Sequence, residues 1–166
     1  MTLVHIRIET PINPLLLVAD DDHLYGIWFH TSRHPMPPHH GARAGDNAVL
    51  RETRAQLKAY FAGDLRGFDL PLRPEGTPFQ QDVWAMLAEI PYGETWTYGD
   101  VARRIGRPDA VRAVGAANGR NPIPIVLPCH RVIGADGSLT GFGGGLPTKQ
   151  YLLELEGALR RDDLFA

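Results

Sequence analysis

The stretch TYGDVARRIGRPDAVRAVGAANGRNPIPIVLPCHR, residues 97–131, sets the reading of the chain. Thr97 followed three residues later by Asp100 has the spacing of a helix-capping pair, in which each side chain reaches the other's backbone N–H. Val101, Ala102 and Ile105 then form the apolar face of a short helix. Gly106-Arg107-Pro108 turns the chain, and Asp109 stands where it would cap a second helix over residues 110–118. Two short helices across a tight glycine-containing turn make a helix-turn-helix pattern, which plain helical hairpins share. In the second helix Ala110, Ala113, Gly115, Ala116 and Ala117 are small, and Arg112 is the one side chain with reach and charge. Such a surface lets the backbone approach a narrow space closely, and it serves equally well for tight helix packing.

The same stretch ends on Pro128-Cys129-His130-Arg131-Val132, which holds the sole cysteine of 166 residues. A solitary Cys is most often a small buried hydrophobe. Here it ends an apolar, proline-punctuated segment (residues 123–127) and has Arg131 nearby, a setting that favours a thiolate. One Cys forms no internal disulfide and is stable where thiols stay reduced, which points to the cytoplasm.

With 43% hydrophobic and 22% charged residues the chain builds a real core, as one globular unit or two small subdomains. No apolar run reaches the roughly 18 residues of a membrane span, and no basic-then-apolar leader opens the chain. The formal net charge is -2, yet between Val101 and Arg131 six arginines face one acid, Asp109. That local excess fits a phosphate backbone or a solvated helix face.

Before this stretch, Val4, Ile6 and Ile8 alternate with His5, Arg7 and Glu9 as in a half-buried strand. Residues 15–18 and 24–29 read as two more strands joined by the acidic turn Asp20-Asp21-Asp22, giving a small antiparallel sheet. Residues 31–45 read as a loop; its His34, His39 and His40 lack the paired spacing of a zinc site. Asp46 reads as the N-cap of a helix with Val49, Thr53, Leu57 and Tyr60 on one face, closed by Gly63. Residues 68–72 are expected to return to the sheet, and residues 73–76 divide the chain into parts 1–76 and 77–166. Thr77-Pro78-Phe79-Gln80 opens a helix with a capping box. Its core face is Phe79, Val83, Met86 or Leu87, and Ile90, with Trp84 as packing. After Cys129 come a turn at 134–137 and a glycine-rich loop at 141–145 that lacks the Gly-Lys-Ser/Thr of a phosphate cradle. Pro147 opens a last helix with Tyr151, Leu152, Leu155 and Leu159 inward.

From about residue 77 to 157 the chain resembles the O6-alkylguanine-DNA alkyltransferases. The matching motifs are Pro91-Tyr92-Gly93-Glu94, Thr97-Tyr98, Arg112-Ala113-Val114-Gly115, Asn121-Pro122, Pro128-Cys129-His130-Arg131-Val132, the 141–145 loop and residues 152–157. The N-terminal part resembles the family only in coarse layout. The resemblance implies an α+β fold: a ribonuclease-H-like sheet-plus-helix domain, then a mainly helical, winged helix-turn-helix-like domain for DNA binding and alkyl transfer.

It further implies that Cys129 takes an alkyl group irreversibly from O6-alkylguanine, chiefly O6-methylguanine, with O4-methylthymine as a further candidate. His130 is the implied base, oriented by Glu156 and separated from Cys129 by a water, because neighbours on an extended segment point opposite ways. Tyr98 protonates the departing guanine, and Asn121 fixes the Cys segment to the helix. Backbone groups of Cys129, Val132 and Gly143 read the guanine edge, beside Pro124 and Phe142, where Tyr is common in the family. The helix carrying Arg112, Ala113, Gly115 and Ala116 enters the minor groove of double-stranded DNA, Arg112 fills the gap left by the flipped base, and Arg131 joins the DNA-facing set. The implied protein is a monomer without metal or cofactor. A non-catalytic alkyltransferase-like damage sensor, or a helix-turn-helix regulator, is the alternative.

Overall fold

Residues 2–29 and 41–159 are described by the computed structural model; His34, His39 and His40 lie outside them. The alternating N-terminal residues form β1 (Val4–Ile8), which pairs antiparallel with β2 (Leu15–Ala19), itself antiparallel to β3 (Leu24–Phe29). The turn between β2 and β3 is tied by Asp20, whose Oδ1 accepts from the N–H groups of Asp22 and His23, both at 2.7 Å. Within 41–45, where a loop was expected, β4 (Arg43–Ala44) adds parallel to the free edge of β1, giving the order β3-β2-β1-β4. Both its residues are exposed, so its pairing rests on backbone bonds and leaves no apolar period to read. Residues 68–72 return to the sheet only through one bridge, Leu24 to Leu72.

Helix α1 (Ala48–Phe61) buries Val49, Thr53, Leu57 and Tyr60 on the expected face. Its N-cap is Asn47, not Asp46: extended backbone at Asn47 brings Oδ1 within 2.8 Å of Leu50 N–H, while Nδ2 donates to the Asp20 carbonyl. Asp and Asn cap almost equally well, so residue type alone does not separate these neighbours, and Asn47 is the one that also binds the Asp20 carbonyl.

Helix α2 (Pro78–Leu87) starts in the full capping box of Thr77 and Gln80 and buries Val83, Trp84 and Leu87. The Trp84 indole N–H donates to the Ala117 carbonyl at 2.8 Å, so Trp84 locks α2 onto α4 (Val111–Gly119). Helix α3 (Tyr98–Arg104) has the Thr97/Asp100 capping box and meets α4 across Gly106, whose φ of 76° is a left-handed turn position. Asp109 does not cap α4: the N-cap is Ala110, with no side-chain bond, because the turn bond from Ala110 N to Arg107 O starts the helix one residue later. A two-stranded parallel sheet, β5 (Trp96–Thr97) with β6 (Val132–Ile133), flanks the pair of helices. Helix α5 (Leu146–Leu155) ends before Leu159, with Gly157 at φ 75° just beyond it.

One apolar cluster runs from Leu15, Leu17 and Ile27 through Leu50 and Leu57 to Val83, Ile123, Val132 and Leu152. The sheet also holds the segment before Cys129 directly, through Ile27 N–H to Pro122 O at 2.9 Å. Among the described residues no helix is long and apolar enough to cross a membrane.

Candidate active site

Cys129 is delivered by a chain of tight turns, not by the stiff extended segment that the sequence implied. Ile123 O accepts from Leu127 N at 2.9 Å, and Ile125 sits at φ 75°, a conformation rare for a β-branched residue and held only by its surroundings. Pro128 (φ -80°, ψ 67°) makes an inverse γ-turn closed by Cys129 N to Leu127 O at 2.7 Å. Residues Cys129–Arg131 then form one 3-10 turn. Two asparagines hold this geometry. Asn121 Nδ2 donates to Leu127 O at 2.7 Å, and Asn118, on α4, donates to Cys129 O at 3.3 Å. The sulfur is thereby fixed to the second helix of the helix-turn-helix.

Burial pushes the Cys129 thiol up to about 11, against the lowering effects of the Asn121 side chain and the charge of Lys149. The resting group is a thiol, and the cation that favours its ionisation is Lys149, not the neighbouring Arg131. Arg131 turns inward: Nε and Nη2 lie 2.8 and 3.0 Å from the Glu156 carboxylate and Nη1 donates to Ile90 O at 2.7 Å. Its guanidinium also lies 5.6 Å from the Tyr92 ring centre. With 6% exposure it has no face for DNA, which corrects its place among the DNA-facing residues.

Glu156 Oε2 also stands 2.8 Å from His130 Nε2 and accepts from the Tyr60 hydroxyl at 2.5 Å. Burial raises the Glu156 carboxyl, but hydrogen bonds from His130 and Arg131 outweigh it and hold it at about 2, so the group is a carboxylate. A carboxylate only accepts, so His130 carries its proton on Nε2 and presents a lone pair on Nδ1. Burial keeps the imidazole below its ordinary range, hence neutral at pH 7. Nδ1 is buried and has no hydrogen-bond partner among the described residues, Cys129 Sγ included.

Around this centre, the Tyr98 hydroxyl is 2.9 Å from Thr140 Oγ1, and Lys149 Nζ donates to Val132 O and Thr140 O at 2.6 and 2.9 Å. Pro124 is buried in the turn before Cys129, and Gly143 is half-buried in the glycine-rich loop. Phe142 packs edge-on against Phe29 of β3, ring centres 5.3 Å apart. A Cβ at Gly144 would lie 2.9 Å from the Phe29 ring, so this loop reaches the sheet only with glycine there. On α4, Arg112, Ala113 and Ala116 are exposed and Gly115 is half-buried against Tyr98, while Val114, Ala117 and Asn118 face the core. Among the described residues no carboxylate pairs with Arg112.

Asn118, Tyr60, Thr140 and Lys149 join the site without having been assigned a part in it from the sequence. Lys149 did leave a signal, since it precedes Leu152, Leu153 and Glu156 by three, four and seven residues, the core face of α5. Tyr60 sat on a predicted core face, where a buried phenol needs a partner.

Residues 78–158 match the family model of the 6-O-methylguanine DNA methyltransferase DNA-binding domain, and residues 3–74 that of the same family's ribonuclease-like domain. The chain belongs to the 6-O-methylguanine DNA methyltransferase family. A methylated-DNA--protein-cysteine methyltransferase of Methanosarcina acetivorans is 51% identical over 150 residues, 90% of this chain and 96% of that protein. One from Mycobacterium tuberculosis is 49% identical over 168 residues, covering 98% of both chains. The crystal structure of Mycobacterium tuberculosis OGT in complex with DNA superposes with a TM-score of 0.85 at 45% identity, covering 99% of this chain and 98% of that one.

Proposed function

We infer that this protein repairs DNA by moving the alkyl group of an O6-alkylguanine, chiefly O6-methylguanine, onto its own Cys129, once per molecule. The observation that carries this reading is the buried Glu156–His130 pair beside a lone cysteine that α4 holds in place. Residues 77–166 form the DNA-binding and transfer domain and residues 1–76 the N-terminal domain. The protein works as a cytoplasmic monomer on double-stranded DNA.

The exposed small residues of α4 enter the minor groove, the damaged base swings into the site at a cost of a few kcal/mol in stacking and pairing, and Arg112 occupies its place. His130 Nδ1 takes the Cys129 proton. Because Nδ1 makes no direct bond to Sγ, one water bridges them. The thiolate attacks the alkyl carbon, the S–C bond forms as the C–O6 bond breaks, and the electron pair passes to guanine, which accepts a proton from the Tyr98 hydroxyl. Thr140 orients that hydroxyl. Backbone groups of Cys129, Val132 and Gly143 read the guanine edge beside Phe142 and Pro124. The product is a thioether, from which water regenerates no thiol at neutral pH.

Incubation with excess duplex containing one O6-methylguanine, followed by peptide mass analysis, tests this. The expected result is one methyl per chain, on Cys129, with repair ending at one lesion per protein. Sustained turnover, or methyl on another residue, overturns it; tight binding with no mass change identifies a damage sensor.

A further inference from the structure

Strand β4 leaves the edge of β1 early. It pairs only with Val4 and His5, because the chain turns away after Gly45 toward the Asn47 cap of α1. Along that edge Leu3 O and His5 O accept from Arg43 N and Gly45 N at 3.0 and 3.1 Å. Alternate residues of a strand turn their backbone groups to the same side, so Arg7 offers its N–H and C=O to this edge as well. Among the described residues no strand pairs with it there. Beside the open edge lies a groove of about 490 Å³, walled by residues 7–11 and by Arg54, Leu57, Lys58, Phe61 and Ala62 of α1. Its floor is apolar: Ile8 and Leu57 are buried and Phe61 is half-buried. Its rim carries Arg7, Arg54 and Lys58 against Glu9, all exposed. Among the described residues no carboxylate pairs with Arg7 or Lys58, and Arg54 stands 4.0 Å from Asp46 with both side chains largely in water. Ile8 lines the groove with Leu57, so alternation puts the Arg7 side chain on the opposite face of the sheet. Cations therefore flank the open edge on both faces.

We propose that this groove binds an extended acidic segment of a partner protein, which adds to β1 as a further strand. Main-chain bonds to the N–H and C=O of Arg7 supply affinity, and the side chains around the groove supply the choice of partner. Inward apolar side chains of the segment lie on Leu57 and Phe61. An inward carboxylate sits between Arg54 and Lys58, which are one helical turn apart on α1, and an outward one meets the Arg7 guanidinium. Duplex DNA fits this groove poorly. A phosphate backbone has no N–H to give the Arg7 carbonyl and no apolar group for Leu57 and Phe61, and Glu9 would repel it. The groove is built from β1 and α1 alone, so the proposal stands apart from the chemistry at Cys129.

The probe is the fluorescein-labelled peptide Glu-Val-Glu-Glu-Glu-Val-Glu, whose alternation sets Val and Glu on one face and Glu on the other. It is titrated with the full chain and read by fluorescence anisotropy at physiological ionic strength, where attraction between distant charges is screened. It should bind saturably, and the same peptide with Lys for every Glu should not. The double variant Arg54→Glu, Lys58→Glu changes two exposed positions, with circular dichroism to confirm folding. It should bind the acidic peptide about tenfold more weakly and leave alkyl transfer unchanged. A second arm uses unmutated protein, so it stands whatever the variant does. Methylating every backbone nitrogen of the acidic peptide keeps its charge and removes its donors, and should abolish binding. Absence of saturable binding, equal affinity for the charge-reversed protein, or equal affinity of the methylated peptide each overturns the proposal. So does a charge-reversed protein that loses affinity for undamaged duplex DNA while the wild type ignores the peptide, which would make the groove a nucleic-acid surface.

Discussion

Replacing Glu156 with Gln removes the charge from a fully buried carboxylate that four donors share. Tyr60 Oη lies at 2.5 Å, His130 Nε2 and Arg131 Nε at 2.8 Å, and Arg131 Nη2 at 3.0 Å. The group titrates at about 2, where an ordinary glutamate titrates near 4.5, although burial alone would push it up. That difference is worth about 3 kcal/mol in favour of the ion. It agrees with the ~3–5 kcal/mol lost when one partner of a buried pair is removed and the other charge stays. The Gln amide would also bring N–H donors against the N–H groups of Arg131 or His130.

At about 2–4 °C per kcal/mol for a protein this size, the melting temperature should fall by about 6–12 °C at pH 7. Alkyl transfer should slow as well, since His130 Nε2–H loses its anionic acceptor, while DNA affinity holds. The pH dependence carries a sign. A carboxyl depressed in the folded state stabilises fully above its unfolded value near 4.5, and that contribution is lost as pH falls toward about 2. Wild type should therefore lose stability across that window more steeply than the variant. Calorimetry from pH 7 to 3 and single-turnover repair assays measure both effects. A melting temperature within about 2 °C of wild type, or the same acid slope in both proteins, refutes the energetic argument. Repair at the wild-type rate refutes the orienting role.

Tyr60→Phe removes one donor from Glu156 and leaves its charge and the Arg131 bonds intact, so a loss of about 1–2 kcal/mol by urea unfolding is expected, smaller than for Glu156→Gln. Arg112→Ala should slow repair of duplex DNA strongly and reaction with free O6-methylguanine base much less. With no carboxylate partner for Arg112 among the described residues, its melting temperature should hold; equal loss on both substrates would remove Arg112 from base flipping. His130, neutral through burial, resists protonation in the folded state, so acidification below about 6.5 should cost stability, and His130→Ala should lose that part of the pH dependence while transferring alkyl groups slowly.

What the sequence determined by itself lies within short reach along the chain. The capping boxes Thr77/Gln80 and Thr97/Asp100 join residues three apart, the period of α1 repeats within one helix, and strand alternation needs five residues. Backbone geometry at that range leaves few alternatives, so residue type is enough. At Asp46 and Asn47 two residue types that cap almost equally well stand side by side; the sequence pointed to Asp46, and the cap is Asn47, which also binds Asp20, 27 residues away in sequence. The motif around Cys129 was equally plain as a pattern, but its shape was not. The turn that carries the sulfur is set by Asn118 and Asn121 binding its carbonyls, and by Ile125 held at positive φ.

Only the tertiary structure decided where the charges go. Arg131 reads the same in sequence whether it faces phosphate or Glu156, and Lys149 the same whether it is solvated or buried. Their partners lie 25 and 17 residues away, and that of Tyr60 lies 96 away. A charged side chain's need for a partner is local chemistry. Which partner it meets follows from how α1, α5 and the Cys129 turn pack around one core, and burial then sets which groups are ionised.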